Sequence, residues 1–188
     1  IKEAEQTLYK LAEQGVAERG FQSFLSAVTG ALNAANAAFS RGGGLSGIST
    51  GLIDLDAKMG GLNRSDLIIL AGRPSMGKTS LATNIAFNVA RNYRWEPTPD
   101  GGRKTVDGGV VAFYSLEMSA EQLAMRILAD ASGVSSDKLR KGEINASDFG
   151  KIRDAAIEIG ESPLYIDATG GLSISKLAAR ARRLKQIG

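Results

Sequence analysis

Residues 72–79, Gly-Arg-Pro-Ser-Met-Gly-Lys-Thr, constrain this chain more than any other stretch. A glycine, four residues and then Gly-Lys-Thr match the phosphate-binding loop pattern in full. Just upstream, Leu67–Ala71 is an unbroken apolar run that predicts a buried strand, and residues 78–90 downstream carry helical periodicity. Strand, glycine turn and helix in this order set backbone amides at a helix N-terminus, where free N–H groups and aligned peptide dipoles favour an anion. Gly72 and Gly77 allow the tight turn. Arg73, Pro74, Ser75, Met76 and Ser80 complete the expected nucleotide-binding set. Lys78 is expected to meet the β- and γ-phosphates as a point charge, and the Thr79 hydroxyl to ligate Mg²⁺. A plain glycine-rich turn with an exposed lysine is the alternative, and the flanking strand and helix argue against it.

The rest of the chain supplies a context for that loop. Residues 1–14 set Ile1, Ala4, Leu8 and Leu11 on one helical stripe, and a second helix is expected over about 21–39 with Phe21, Phe24, Leu25, Val28, Leu32, Ala35 and Phe39 inward. "SRGGGLSG", residues 40–47, reads as a linker. The expected division is therefore a helical lead-in at 1–40, a glycine-rich linker at 41–47 and an ATPase-type domain at 48–188. Beyond the linker, strands and helices alternate. Strands are expected at Leu67–Ala71, Val110–Ser115 and 163–167, with helices from Lys78, Ser119, Ser136, Asn145 and residue 173. Ser119 with Gln122 forms a capping box. In the helix from Asn145, Phe149, Ile152, Ala156 and Ile159 form the expected buried stripe, and Gly160 its stop. This order predicts an α/β fold, a mainly parallel sheet between helical layers. Residues 91–109, rich in Pro and Gly and holding the only tryptophan, read as a long surface loop.

Composition narrows the chemistry. The 188 residues contain no histidine and no cysteine, which excludes imidazole acid–base work, His-ligated zinc, thiolate chemistry and disulfides. Proton handling falls to carboxylates, lysine or water. The net charge of +3 does not by itself point to nucleic acid. No apolar run approaches the roughly 20 residues of a membrane span, so no membrane partner is expected.

Two carboxylates follow apolar strands. Glu117 comes just after "VVAFYS", at the strand end that lines the ligand crevice of a parallel sheet. It can polarise a water that attacks a γ-phosphate, or merely favour the dipole of the next helix; spacing alone leaves both open. Asp167 ends "LYID", which mimics the apolar strand plus aspartate that holds Mg²⁺ in P-loop enzymes, and it serves equally well as the start of a turn into "ATGG".

Taken together, "STGLIDLDAKMGGLNRSDLIILAGRPSMGKTSLATNIA" and "VAFYSLEMSAEQLAMRILA" resemble the RecA-like ATPase domain of bacterial replicative DNA helicases of the DnaB type. The resemblance runs from about Gly47 to the end, and "IKEAEQTLYKLAEQG" is similar to that family's linker helix. It implies a P-loop RecA-like three-layer fold, present in part. It further implies ATP and Mg²⁺ as cofactors, a cytoplasmic homohexameric ring joined through the linker helix, and translocation on single-stranded DNA with unwinding of forked DNA. Primase and a helicase loader are implied partners within a primosome. Lys78 takes the role of P-loop lysine, Thr79 of magnesium ligand, and Glu117 of the glutamate that activates water. By the same resemblance Asp167 loses weight, because the family's metal-associated aspartate lies on a later strand. That strand, the DNA-binding loops and the arginine finger fall outside this sequence. A polypeptide ending at Gly188 is expected to show little or no ATPase activity. The 91–109 loop is longer than in many members.

On the last helix, Lys176, Arg180 and Arg183 share one ridge, expected to be a solvated face rather than a DNA contact. Two other function classes stand beside the motor: another RecA-like ATPase, and a nucleotide-binding oligomerisation module without turnover. Strand displacement coupled to DNA-stimulated ATPase selects the motor, ATPase without unwinding the second, and binding alone the third.

Overall fold

The structure, a computed structural model, describes residues 21–40 and 44–187. The expected helix over residues 1–14 lies outside the described residues. The chain divides into two units, Ile1–Gly44 and Leu45–Gly188.

In the first unit, helix α1 spans Phe24–Ser40. Its apolar residues are not inward as expected: Phe24, Leu25, Leu32 and Phe39 are all exposed, as is Phe21 before the helix. A stripe is buried only against a second element, and α1 is the one element described in this unit.

The second unit begins with a tight loop. Ile48 and Leu62 form an antiparallel bridge, and α2 (Ile53–Met59), a helix the sequence pattern did not reveal, lies between them. Asp56 ties this loop together. Its carboxylate accepts from the Ser49 hydroxyl (2.6 Å), the Thr50 amide (2.9 Å) and the Thr50 hydroxyl (2.7 Å). Burial opposes its ionisation, yet these donors win and hold its pKa below the ordinary carboxylate value. The Thr50 carbonyl in turn accepts from the Asn88 side-chain amide at 3.0 Å.

That asparagine sits on α3 (Lys78–Arg91), the helix around which the unit is built. Ala86, Phe87, Val89 and Ala90 form its buried face. α3 packs on strands β3 (Val111–Tyr114) and β4 (Leu164–Asp167), which pair in parallel with Val111 opposite Leu164 and Tyr114 opposite Asp167. It also packs on α4 (Ala120–Ser132), which further contacts α5 (Ser136–Lys141) and α6 (Ala146–Gly160). Leu123 and Ile127 of α4, Val134 and Ala155 complete the core. α7 (Ile174–Ile187) ends the described chain.

Helix starts follow their caps. Ser119 and Gln122 form the expected reciprocal box, and Asn145 with Asp148 forms a second. Three expectations need correction. The buried stripe of α6 centres on Ile152, Ala155 and Ile159, whereas Phe149 is 60% exposed and Ala156 is also exposed. Gly160, the expected stop, is the last residue of α6.

Residues 91–109 are not a plain loop: they contain the antiparallel hairpin β1 (Arg94–Pro97) and β2 (Arg103–Asp107). Finally, Leu67–Ala71 pairs with no strand among the described residues. Its side chains are exposed, Leu67 at 86% and Ile69 at 79%. An apolar run becomes a ladder strand only when a neighbour supplies the other half of its hydrogen bonds.

Candidate active site

The loop from Gly72 to Thr79 turns through two left-handed residues. Ser75 has φ +64° and Gly77, the residue just before α3, has φ +83°. A Cβ on Gly77 would meet nothing within 4 Å, so the backbone conformation rather than crowding favours glycine there. Positive φ at alternate positions curls the amides toward one concave side, the geometry that makes an anion nest. At the N-terminus of α3, the amide of Leu81 donates back to the Gly77 carbonyl at 2.9 Å. The amides before it in the first turn have no partner within an α-helix and point along the axis toward the loop.

Lys78 and Thr79 are half-buried at this terminus. The Lys78 Nζ donates to the carbonyls of Gly72 (2.9 Å) and Arg73 (3.0 Å), which draws the side chain back over the loop. An ammonium has three N–H donors, so one remains for an incoming acceptor.

Glu117 comes from the other side. β3 ends at Tyr114, and the turn after it is clamped by Ser115, a buried residue. The Ser115 hydroxyl accepts from the Met118 amide (3.1 Å) and donates to the Met118 carbonyl (2.7 Å). The Ser115 amide donates to the Asp167 carbonyl at 2.9 Å, extending the parallel ladder by one bond. This brackets Leu116 and Glu117 in a short, fixed arc. Glu117 is exposed, and it lines the same cleft as Pro74, Ser75, Gly77, Lys78, Thr79 and Ser80. That cleft measures about 560 Å³, within the range of small-molecule sites. An adjoining cleft behind it, between Leu70, Ala82 and Phe113, is also lined by Lys78, Thr79 and Glu117.

One further cation faces this space. Arg126 of α4 lines the cleft and donates to the Ser80 hydroxyl at 3.0 Å. Sequence reading missed it, along with Ser115. Arg126 lies two turns into a helix whose register to the P-loop only the packing of α4 on α3 reveals. Of the expected set, Pro74, Ser75, Gly77, Lys78, Thr79, Ser80 and Glu117 line this cleft. Gly72 and Arg73 contribute through their carbonyls to Lys78. Met76, in the same loop, is 73% exposed.

Asp167 is engaged elsewhere. The Thr169 hydroxyl and, next, the Arg180 guanidinium hold its carboxyl at about 2, and it ion-pairs with Arg180. Arg180 also donates to the Thr169 hydroxyl at 2.8 Å, so one member of the basic ridge on α7 is tied to the end of β4. Among the described residues no cluster of three acidic side chains could hold a metal ion unaided. Thr79 and Glu117 offer hard oxygen donors in one cleft. This suits Mg²⁺, which takes few protein ligands and fills its shell with phosphate and water.

Residues 47–188 match the family described as the DnaB-like helicase C terminal domain. The replicative DNA helicase DnaB of Rickettsia bellii is 41% identical over 186 residues, covering 99% of this chain and 36% of that protein. The replicative DNA helicase DnaC of Bacillus subtilis is 38% identical over 186 residues, covering 99% of this chain and 38% of that protein. A solved DnaB-like replicative helicase, described with its interactions with primase, superposes with a TM-score of 0.70 at 25% identity. That match covers 100% of this chain and 41% of the other. The chain thus spans little more than a third of each of these two curated relatives.

Proposed function

This chain belongs to the DnaB-like helicase C-terminal domain family, and from that membership we propose that it binds ATP with Mg²⁺ and hydrolyses it to drive DNA unwinding. The observation that carries the reading is that Lys78, Thr79 and Glu117 line one cleft together. The amides at the start of α3 and the Lys78 ammonium hold the β- and γ-phosphates. Thr79 holds Mg²⁺, which when bound offsets phosphate charge. Glu117 accepts a proton from a water as its oxygen attacks the γ-phosphorus. The bond to the bridging oxygen breaks, and ADP and inorganic phosphate leave. The fixed turn at Ser115–Met118 supports this role, because a base must sit at a set distance from the phosphorus it serves. Arg126, bonded to Ser80, adds a positive charge to the lining of the cleft.

In this reading the domain at 48–188 works within a homohexameric ring around single-stranded DNA, in the cytoplasm at the replication fork. Primase and a helicase loader are its partners. The lead-in at 1–40, joined by the 41–47 linker, docks on a neighbouring protomer. The exposed apolar side chains of α1 suit such a contact. The test is unwinding of a forked DNA duplex by the protein. We expect strand displacement with ATP and none without it, together with ATP hydrolysis that rises on adding single-stranded DNA. Hydrolysis that DNA does not stimulate, with no displacement, would overturn the helicase reading.

A further inference from the structure

The β1–β2 hairpin takes no part in the site above. It joins the C-terminal end of α3 to the start of β3, about 20 Å along α3 from the P-loop end. Its base is rigidly held. The Gly109 amide donates to the Val89 carbonyl at 3.0 Å. Gly108, at φ +60°, lies so close to α3 that a Cβ would meet the Val89 oxygen at 2.4 Å. The ribbon beyond it is bare: all nine strand residues are exposed, on both faces.

The two faces differ in charge. Trp95 stands opposite Thr105, and Pro97 opposite Arg103, so these four share one face. There the Arg103 guanidinium lies 4.5 Å from the centre of the Trp95 ring. None of these four is a carboxylate, and among the described residues Arg103 makes no ion pair. The other face sets Glu96 against Lys104 and is balanced. Stacking uses the flat side of a guanidinium and leaves its in-plane N–H groups available to an oxyanion. A half-exposed indole beside such a group offers one π-surface and one phosphate donor.

From this arrangement we propose that the Trp95–Arg103 face is a contact for single-stranded nucleic acid, with a base stacked on the indole and its phosphate held by Arg103. An unstacked strand is required, because a base inside a duplex has no free face to offer the ring. The contact is indifferent to sequence, since every base has a π-face. It lies about 20 Å along α3 from the P-loop, and it does not rest on the ATP reading above.

Trp95 is the only tryptophan in these 188 residues, so its emission reports this site directly. A dT oligonucleotide of about 20 bases, long enough to span a typical strand-binding groove, is titrated into the protein without nucleotide. Saturable, salt-sensitive quenching is expected. In the anisotropy of a labelled oligonucleotide, Arg103→Glu and Trp95→Ala are each expected to weaken binding roughly tenfold. Lys78→Ala is expected to leave the quenching intact. A tryptophan signal unmoved at saturating oligonucleotide would overturn the proposal. So would equal quenching by polyglutamate, which would mark a site for acidic protein, or by raising protein concentration alone, which would mark a self-contact.

Discussion

Ser115 shows how one hydroxyl can fix the position of a carboxylate it never touches. Both of its side-chain bonds go to Met118, and between them lie Leu116 and Glu117. Ser115→Ala removes the two bonds together and lets the arc loosen. A hydrogen bond of this kind contributes about 1 kcal/mol net, and that much lost positioning lowers a rate by roughly fivefold to tenfold. DNA-stimulated ATP hydrolysis by the variant should show kcat down by about that factor with KM for ATP near its original value. A change confined to KM would contradict the positioning role. The P-loop residues were legible because their types are dictated locally, by a turn that requires glycine and a phosphate that requires a lysine. Ser115 and Arg126 were not, because nothing in their own neighbourhood marks them; each acquires its role from an element packed against it.

At the scale of elements, α3 is the piece on which the account rests. Its N-terminus carries Lys78 and Thr79, its middle is buried, and Asn88 near its end is bonded to the Thr50 carbonyl. Thr50 is held by Asp56, whose carboxylate serves three donors within a buried corner. Asp56→Ala strands those donors and should cost about 2–3 kcal/mol, read as a lower denaturation midpoint in urea with an unchanged slope. An unshifted midpoint would show that the 45–62 loop is a passive cover.

Elements with their own caps, such as α4 and α6, could be read from sequence to within a residue or two. Those defined by partners could not. Leu67–Ala71 has the composition of a strand and no ladder. The 94–107 hairpin has its two runs hidden among Pro and Gly. The stripe of α6 is displaced because α4, not the helix itself, decides which side is covered.

At the scale of the molecule, the fold is the P-loop, RecA-like α/β arrangement of the DnaB-like family. The order of strand ends brings Glu117 from the end of β3 and Lys78 from the start of α3 to one edge of the parallel pair. That convergence follows from topology: ligand crevices form outside the carboxyl ends of parallel strands. The hairpin emerges at the opposite edge, so the unit carries two unlike surfaces, an anion cradle at one end and a cationic aromatic face at the other.

If Lys78 and the α3 amides hold the phosphates while Glu117 acts only on the water, binding and turnover separate on substitution. Equilibrium titration of a fluorescent ATP analogue, with Mg²⁺, into the protein and its Lys78→Ala and Glu117→Gln variants measures this. Glu117→Gln should bind with unchanged affinity yet hydrolyse ATP about 100-fold or more slowly, while Lys78→Ala loses most of its affinity. Unimpaired binding by Lys78→Ala, or normal turnover by Glu117→Gln, would contradict the account.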